Sequence, residues 1–396
     1  MKMSTYAHLN KLPRFLISLF CFMAWILVVP HLAFSTGGYV QTNLVSDIPG
    51  VAAHTDPNLS NPWGISSSAT SPFWVSDNKT GVSTLYNGNG EPFPLQNPLV
   101  VNIPPPGGGT PPAAPTGQVF NGGSNFNLGP NQPARFIFAT EDGTISGWNP
   151  AANPTNAILK VDNSAIGAVY KGLAIGNNGT GDFLYAANFS AGKIDVFDSA
   201  FGLTTLSGSF TDPNMPSGFA PFNIQNVGGA LLVTYAVQDV AKHDDVAGAG
   251  NGIVDVFDLN GNLEKRLISS GPLNSPWGLA LAPPNFGVFS NDLLVGNFGD
   301  GRINAFDPTT GNFLGTMLDK DGNPIVNTGL WGMKFGNGGT GGAANILYFT
   351  AGIPGPNGAV EDHGLFGSVQ PTPEPSTALL LVTGIAGLFA WRKKQA

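Results

Sequence analysis

Between residues 36 and 370 the apolar positions fall in short runs bounded by Gly, Asn, Asp and Pro, and no stretch there sustains a helical period. Runs of this kind predict strands, and two runs joined by a Gly-containing turn predict a hairpin. Such a pair recurs along the chain: FWVSDNKTGVSTLYN from Phe73, FIFATEDGTISGWN from Phe136, FLYAANFSAGKIDVFD from Phe183, LLVTYAV…NGIVDVFD from Leu231 and LLVGNFGDGRINAFD from Leu293. A weaker sixth copy, ILYFTAG…HGLFGSV, starts at Ile346. Most copies are preceded by a short apolar motif: NPWGIS at Asn61, YKGLAIG at Tyr170, APFNIQ at Ala220, SPWGLAL at Ser275 and GLWGMKF at Gly329. In the second copy TGQVFNGG at Thr116 takes that place. One further run follows each of the first five pairs, at 99–103, 157–162, 204–210, 264–269 and 313–318.

Four runs per unit, repeated at roughly 50 residues, are the signature of four-stranded propeller blades. The chain is therefore expected to be all-β, a six-bladed propeller forming one domain over 36–370. The sixth copy lacks its outer run, and YVQTNLVSD (39–47) has no other partner. This N-terminal strand is expected to complete blade 6 and close the ring, which removes exposed sheet edges. The Trp-Gly and Phe-Asp marks of the blades resemble NHL-type propellers and, more distantly, streptogramin lyase and gluconolactonase-like lactonases.

The two ends follow other patterns. Lys2, Lys11 and Arg14 flank the apolar stretch 15–29, and Ala33-Phe34-Ser35 offers small residues for signal peptidase. Residues 1–35 thus read as a secretory signal helix cut after Ser35. The single cysteine, Cys21, lies within it, so no disulfide is expected in the exported chain. At the other end Ser376–Trp391 is 16 residues without a charge, followed by Arg392, Lys393 and Lys394. That is a short transmembrane helix with a cytoplasmic basic flank. Together with Pro373, Glu374 and Pro375, segment 371–396 resembles the PEP-CTERM sorting signal of exopolysaccharide-making Gram-negative bacteria. The resemblance implies Pro373-Glu374-Pro375 as the recognition motif of an exosortase-type protease. It also implies a transient inner-membrane anchor, then a cell-surface or extracellular destination.

Charge narrows the partners. Of 17 basic and 25 acidic residues, six basic and one acidic lie in the terminal segments, leaving an excess of about 13 negative charges between them. Such a surface disfavours nucleic acid and anionic lipid. Two hairpin turns are unusually long, 236–252 and 351–363, and carry Asp239, His243, Asp244, Asp245 and Glu361, Asp362, His363. His54 and Asp56 lie in the loop entering blade 1. In a propeller all three loops emerge on one face, so these nine residues are the candidate ligand or metal site. Carboxylates with Asn and carbonyl oxygens suit Ca²⁺ or Mg²⁺, and added His would admit Zn²⁺ or Mn²⁺. Neither HExxH nor an EF-hand loop occurs, and no catalytic residue is assigned. Trp63, Trp277 and Trp331 read as inter-blade packing. The expectation is an exported binding module for exopolysaccharide or a surface protein. The alternative is a metal-dependent lyase or lactonase using the His/Asp face.

Overall fold

The computed structural model describes residues 37–107, 109–356 and 358–372. Ser35 with the signal segment, and Pro373, Glu374 and Pro375 with the apolar tail, lie outside the described residues. Among the described residues no helix is long and apolar enough to cross a membrane.

Six antiparallel sheets are arranged in a ring, each with its innermost strand against the channel axis. The inner strands are Pro62–Ser66, Pro115–Phe120, Tyr170–Asn177, Phe219–Val227, Pro276–Leu281 and Leu330–Phe335. All six blades expected from the repeat are present. Tyr39–Ser46 pairs antiparallel with Leu365–Pro371, so the N-terminal strand completes blade 6 as expected. A short fifth strand, His54–Thr55, runs parallel outside it.

The closing strand is anchored by more than its ladder. The Tyr39 hydroxyl donates to the Phe286 carbonyl (2.8 Å) and accepts from Phe289 N–H (3.2 Å). Gly38 lies so close to Asp319 that an added Cβ would sit 2.3 Å from its carbonyl oxygen. Ring closure therefore stitches blade 6 to blade 5.

One local device repeats around the channel. In every blade the ladder between the two inner strands slips at the same place, Pro62/Ile65, Pro115/Gln118, Tyr170/Gly172, Pro221/Asn223, Pro276/Gly278 and Leu330/Met333. A bulge frees carbonyls from the ladder and bends the strand. Side chains of adjoining strands and blades then satisfy those carbonyls: Gln118 Nε2 donates to Gly64 O (2.8 Å), Asn223 Nδ2 to Trp277 O (2.8 Å) and Thr350 Oγ1 to Trp63 O (2.6 Å). Glycine beside the bulge is a requirement of close approach. A Cβ on Gly117 would meet Leu173 N at 2.3 Å.

Candidate functional site

The equivalent residue at each bulge, followed by Gly in five blades and by Asn223 in blade 4, is Trp63, Thr116, Lys171, Phe222, Trp277 or Trp331. Trp63 stacks on Trp331 with ring centroids 3.4 Å apart, and Trp277 meets both edge-on. Phe222 and Phe298 pack on the same Trp331. Trp63, Phe222, Trp277 and Trp331 are buried, with Phe298 half-buried against them, and together they plug the channel. They match the packing expectation and leave no indole face of Trp63 or Trp331 open to a sugar.

Lys171 is the exception in this ring, a charged side chain that is 2% exposed. Its ammonium lies over the Trp63 ring, 5.0 Å from the centroid. It pairs with Glu141 Oε1 and, at 3.2 Å, with Asp244 Oδ1. Burial alone would lower the Lys171 pKa, but the Glu141 and Asp244 carboxylates override it and hold the pKa above the usual lysine value. Glu141 comes from the short turn of blade 2 and Asp244 from the long turn of blade 4.

A hydrogen-bonded chain extends from this pair. Asn78 Nδ2 donates to Glu141 Oε2 (2.8 Å). Asn61 Nδ2 donates to Asn78 Oδ1 (3.3 Å) and to Glu361 Oε1 (3.2 Å). Trp331 Nε1 donates to Asn61 Oδ1 (3.1 Å), tying the chain to the plug. Burial, then the charge of Glu141, pushes the Glu361 carboxyl up to about 7, so that it exchanges its proton near neutrality. Asn61 and Glu361 also hold positive φ angles, 47° and 70°. Asn tolerates that region, whereas Glu is strained there, and such strain gathers where structure imposes a function.

The nine residues expected to form a site are distributed unequally. Asp244, Glu361 and His243 reach the channel mouth, with His243 Nδ1 2.9 Å from Asp244 Oδ1. Asp245 lies beneath, its carboxyl raised by burial and its Oδ2 without a hydrogen-bond partner. Asp239 accepts the backbone N–H groups of His243 (2.8 Å) and Asp244 (3.3 Å), shaping the turn that presents them. Asp56 is occupied by the Tyr86 hydroxyl (2.9 Å) and Asn58 N–H (2.9 Å). Asp362 pairs with exposed Lys79, and His363 Nδ1 lies 2.7 Å from Asp47 Oδ2. His54 sits on the short outer strand opposite Val45. Among the described residues His54 and His363 do not join His243 in a group of metal-capable side chains. Among the described residues the one group of three metal-capable side chains, with donor atoms within 4.8 Å, is Glu141, His243 and Asp244.

Sequence reasoning passed over Asn61, Asn78, Glu141 and Lys171. Asn78 and Glu141 stand in short turns that read as ordinary turn chemistry. Lys171 had a legible signal, because aligning the six inner motifs puts one lysine among three tryptophans, a phenylalanine and a threonine.

The PEP-CTERM protein-sorting motif matches residues 371–394. It indicates export and membrane anchoring before processing by exosortase-type sorting machinery. Two uncharacterized proteins of Acanthamoeba polyphaga mimivirus are similar to the chain. Protein R648 is 37% identical over 300 residues, covering 73% of this chain and 72% of its own length. Protein L690 is 35% identical over 301 residues, covering 73% and 77%. Among solved structures, a streptogramin B lyase aligns over 86% of this chain and 99% of its own, at 13% identity and a TM-score of 0.48. That likeness concerns the propeller fold alone.

Proposed function

The chain belongs to the family of the uncharacterized mimivirus proteins R648 and L690, and we propose that it is an exported binding module seated at the channel mouth. The exported unit is residues 36–370, released from 1–35 after Ser35 and carried to the cell surface or extracellular space through the C-terminal signal. The observation that carries the reading is the chain Asn61–Asn78–Glu141–Lys171–Asp244, with Glu361 attached through Asn61. It sets carboxylates and amides of four blades, on a buried lysine, around the end of a plugged channel.

The chemistry suits a hydroxyl-rich ligand such as an exopolysaccharide. Carboxylates accept pairs of hydroxyl protons, amides both donate and accept, and Glu361 changes role as it titrates near neutrality. A rigid plug beneath favours a preorganised seat. The aromatic groups of the plug are buried and contribute rigidity.

The donor set Glu141, His243 and Asp244 also motivates a cation reading, with metal-dependent lyase or lactonase chemistry behind it. Lys171 argues against it, because its ammonium already supplies the positive charge that Glu141 and Asp244 need. A divalent cation would have to compete with a covalently tethered one.

The test is binding of the exported protein to the exopolysaccharide of its host, followed by calorimetry at neutral pH. Glu361→Gln and Asp244→Asn are expected to weaken binding at least tenfold, while Asp362→Asn leaves it intact. Equal binding by all three variants would overturn the reading. A saturable rise in melting temperature with Ca²⁺, Mg²⁺ or Zn²⁺, lost in Asp244→Asn, would favour the cation reading instead.

A further inference from the structure

On the other side of the indole plug the channel widens into a cavity of about 340 Å³. Its wall is formed by the downstream halves of the inner strands. Gly64, Gly117, Leu173 and Asn223 at its closed end are buried, whereas Val119, Ile175 and Gln225 farther along are half-buried. It therefore opens on the face opposite to the mouth. The volume lies at the low end of small-molecule sites and fits a ligand of monosaccharide size.

Lys334 is the one charged residue of this wall. Among the described residues no carboxylate pairs with it and no hydrogen bond engages its ammonium. Burial lowers its pKa, and no nearby charge opposes that effect. Lys334 is half-buried, so its cation reaches the cavity's solvent with no counter-charge beside it, and charges held partly out of water ordinarily find a partner. The amides of Asn223 and Asn226 are already used, donating to Trp277 O (2.8 Å) and Ile175 O (3.0 Å). The hydroxyls of Ser66 and Ser67, on the blade adjoining Lys334, are sealed from solvent and so from a ligand in the cavity. Gln225, on blade 4, makes no side-chain hydrogen bond among the described residues.

We propose that this cavity is a second binding site, for a small polyhydroxy monocarboxylate, with Lys334 as its anion-binding group and Gln225 as a partner for hydroxyls. A single lysine without arginine favours a monoanion over a phosphate dianion, which ordinarily recruits several cationic or backbone donors. The apolar strips from Val119, Ile175 and Leu279 suit the carbon faces of a sugar acid. The site is separate from the channel mouth, with its own opening and its own lysine.

The experiment titrates the exported protein with D-gluconate, D-glucuronate and neutral D-glucose by calorimetry. Saturable binding of at least one carboxylate, and tenfold or more weaker binding of glucose, is expected. Lys334→Met is expected to weaken the carboxylate at least tenfold, the size of a lost charge-assisted hydrogen bond. Glu361→Gln at the mouth should leave it unchanged, so failure of the mouth proposal would not be mistaken for failure here. A melting curve guards against misfolding. Because Lys334 is an uncompensated cation, Lys334→Met should melt at or above the temperature of the unaltered protein. Absence of carboxylate binding, equal affinity for glucose, or binding retained in a folded Lys334→Met would each overturn the proposal.

Discussion

The two ends of the channel each hold an inner-strand lysine, and the contrast between them is instructive. Lys171 is buried and Lys334 half-buried, and loss of water by itself lowers a lysine pKa. At the mouth the Glu141 and Asp244 carboxylates reverse the sign, and the Lys171 pKa is raised. At the far end nothing opposes burial, and the Lys334 pKa is lowered. Both are lysines of inner strands, Lys171 before the bulge of its strand and Lys334 after it. The difference comes from the loops, because the blade 2 and blade 4 turns fold over the mouth and bring acids with them. Among the described residues, loops at the other end bring none to the cavity wall. One end is thus an internally satisfied network able to exchange its hydrogen bonds for a ligand's, and the other is a vacancy in charge.

The comparison breaks most severely if the wall between the two ends is removed. Trp331→Ala deletes a ring stacked on Trp63 and Phe298 and the donor to Asn61. It should cost about 3–5 kcal/mol in urea unfolding, the range for large aromatic deletions in cores. A cost under about 1 kcal/mol would mean the plug is not a structural partition.

Next in size is the charge balance at the mouth. Glu141→Gln leaves the buried Lys171 with Asp244 alone, whose side chain is 64% exposed. The expected loss is roughly 3 kcal/mol, typical of breaking a buried pair. Adding Lys171→Met to that variant removes the stranded charge and should recover more than half of the loss. Additive losses in the double variant would show that the pair is not coupled.

A pH scan sharpens the contrast further. Glu361 has its carboxyl raised from 4.5 to about 7 by burial and by Glu141. The folded state therefore holds a proton that the unfolded state releases. Stability is fully present below about pH 4.5 and falls as pH rises through about 7. Asp255 in blade 4, raised to about 7 mainly by burial, adds a slope of the same sign. Glu361→Gln should flatten the decline between those pH values without abolishing it, and an unchanged slope would rule out Glu361 as a contributor. The smallest effect is expected at Asp362→Asn. Its partner Lys79 is exposed, and screened surface pairs contribute little. The melting midpoint should not move measurably.

Several of these features were legible beforehand. Short runs such as FLYAANFSAGKIDVFD, with turn residues at fixed offsets, carry local information, and local information specifies strands and hairpins. The unmatched runs at Tyr39 and after Ile346 even indicated how the ring closes. Asp244, Glu361 and His243 were legible as members of two long turns on one face. His54 and His363 were legible only to the same degree, yet His54 sits on the fifth, outermost strand of blade 6 and His363 contacts Asp47. A repeat assigns a residue to a face, whereas its distance from the axis depends on how the loop folds. Glu141 was hidden for the converse reason, since a three-residue turn, Glu141–Gly143, that looks like plain turn chemistry brings its carboxylate to Lys171.

The sequence by itself determined the strand pattern, the blade count, the closing strand and the sorting signal, because each depends on neighbours along the chain. Only the tertiary structure decided which lysine is paired and which is not. Coulomb attraction and desolvation depend on distance through space, and the ring brings Glu141, Lys171 and Asp244 together from three blades while leaving Lys334 alone.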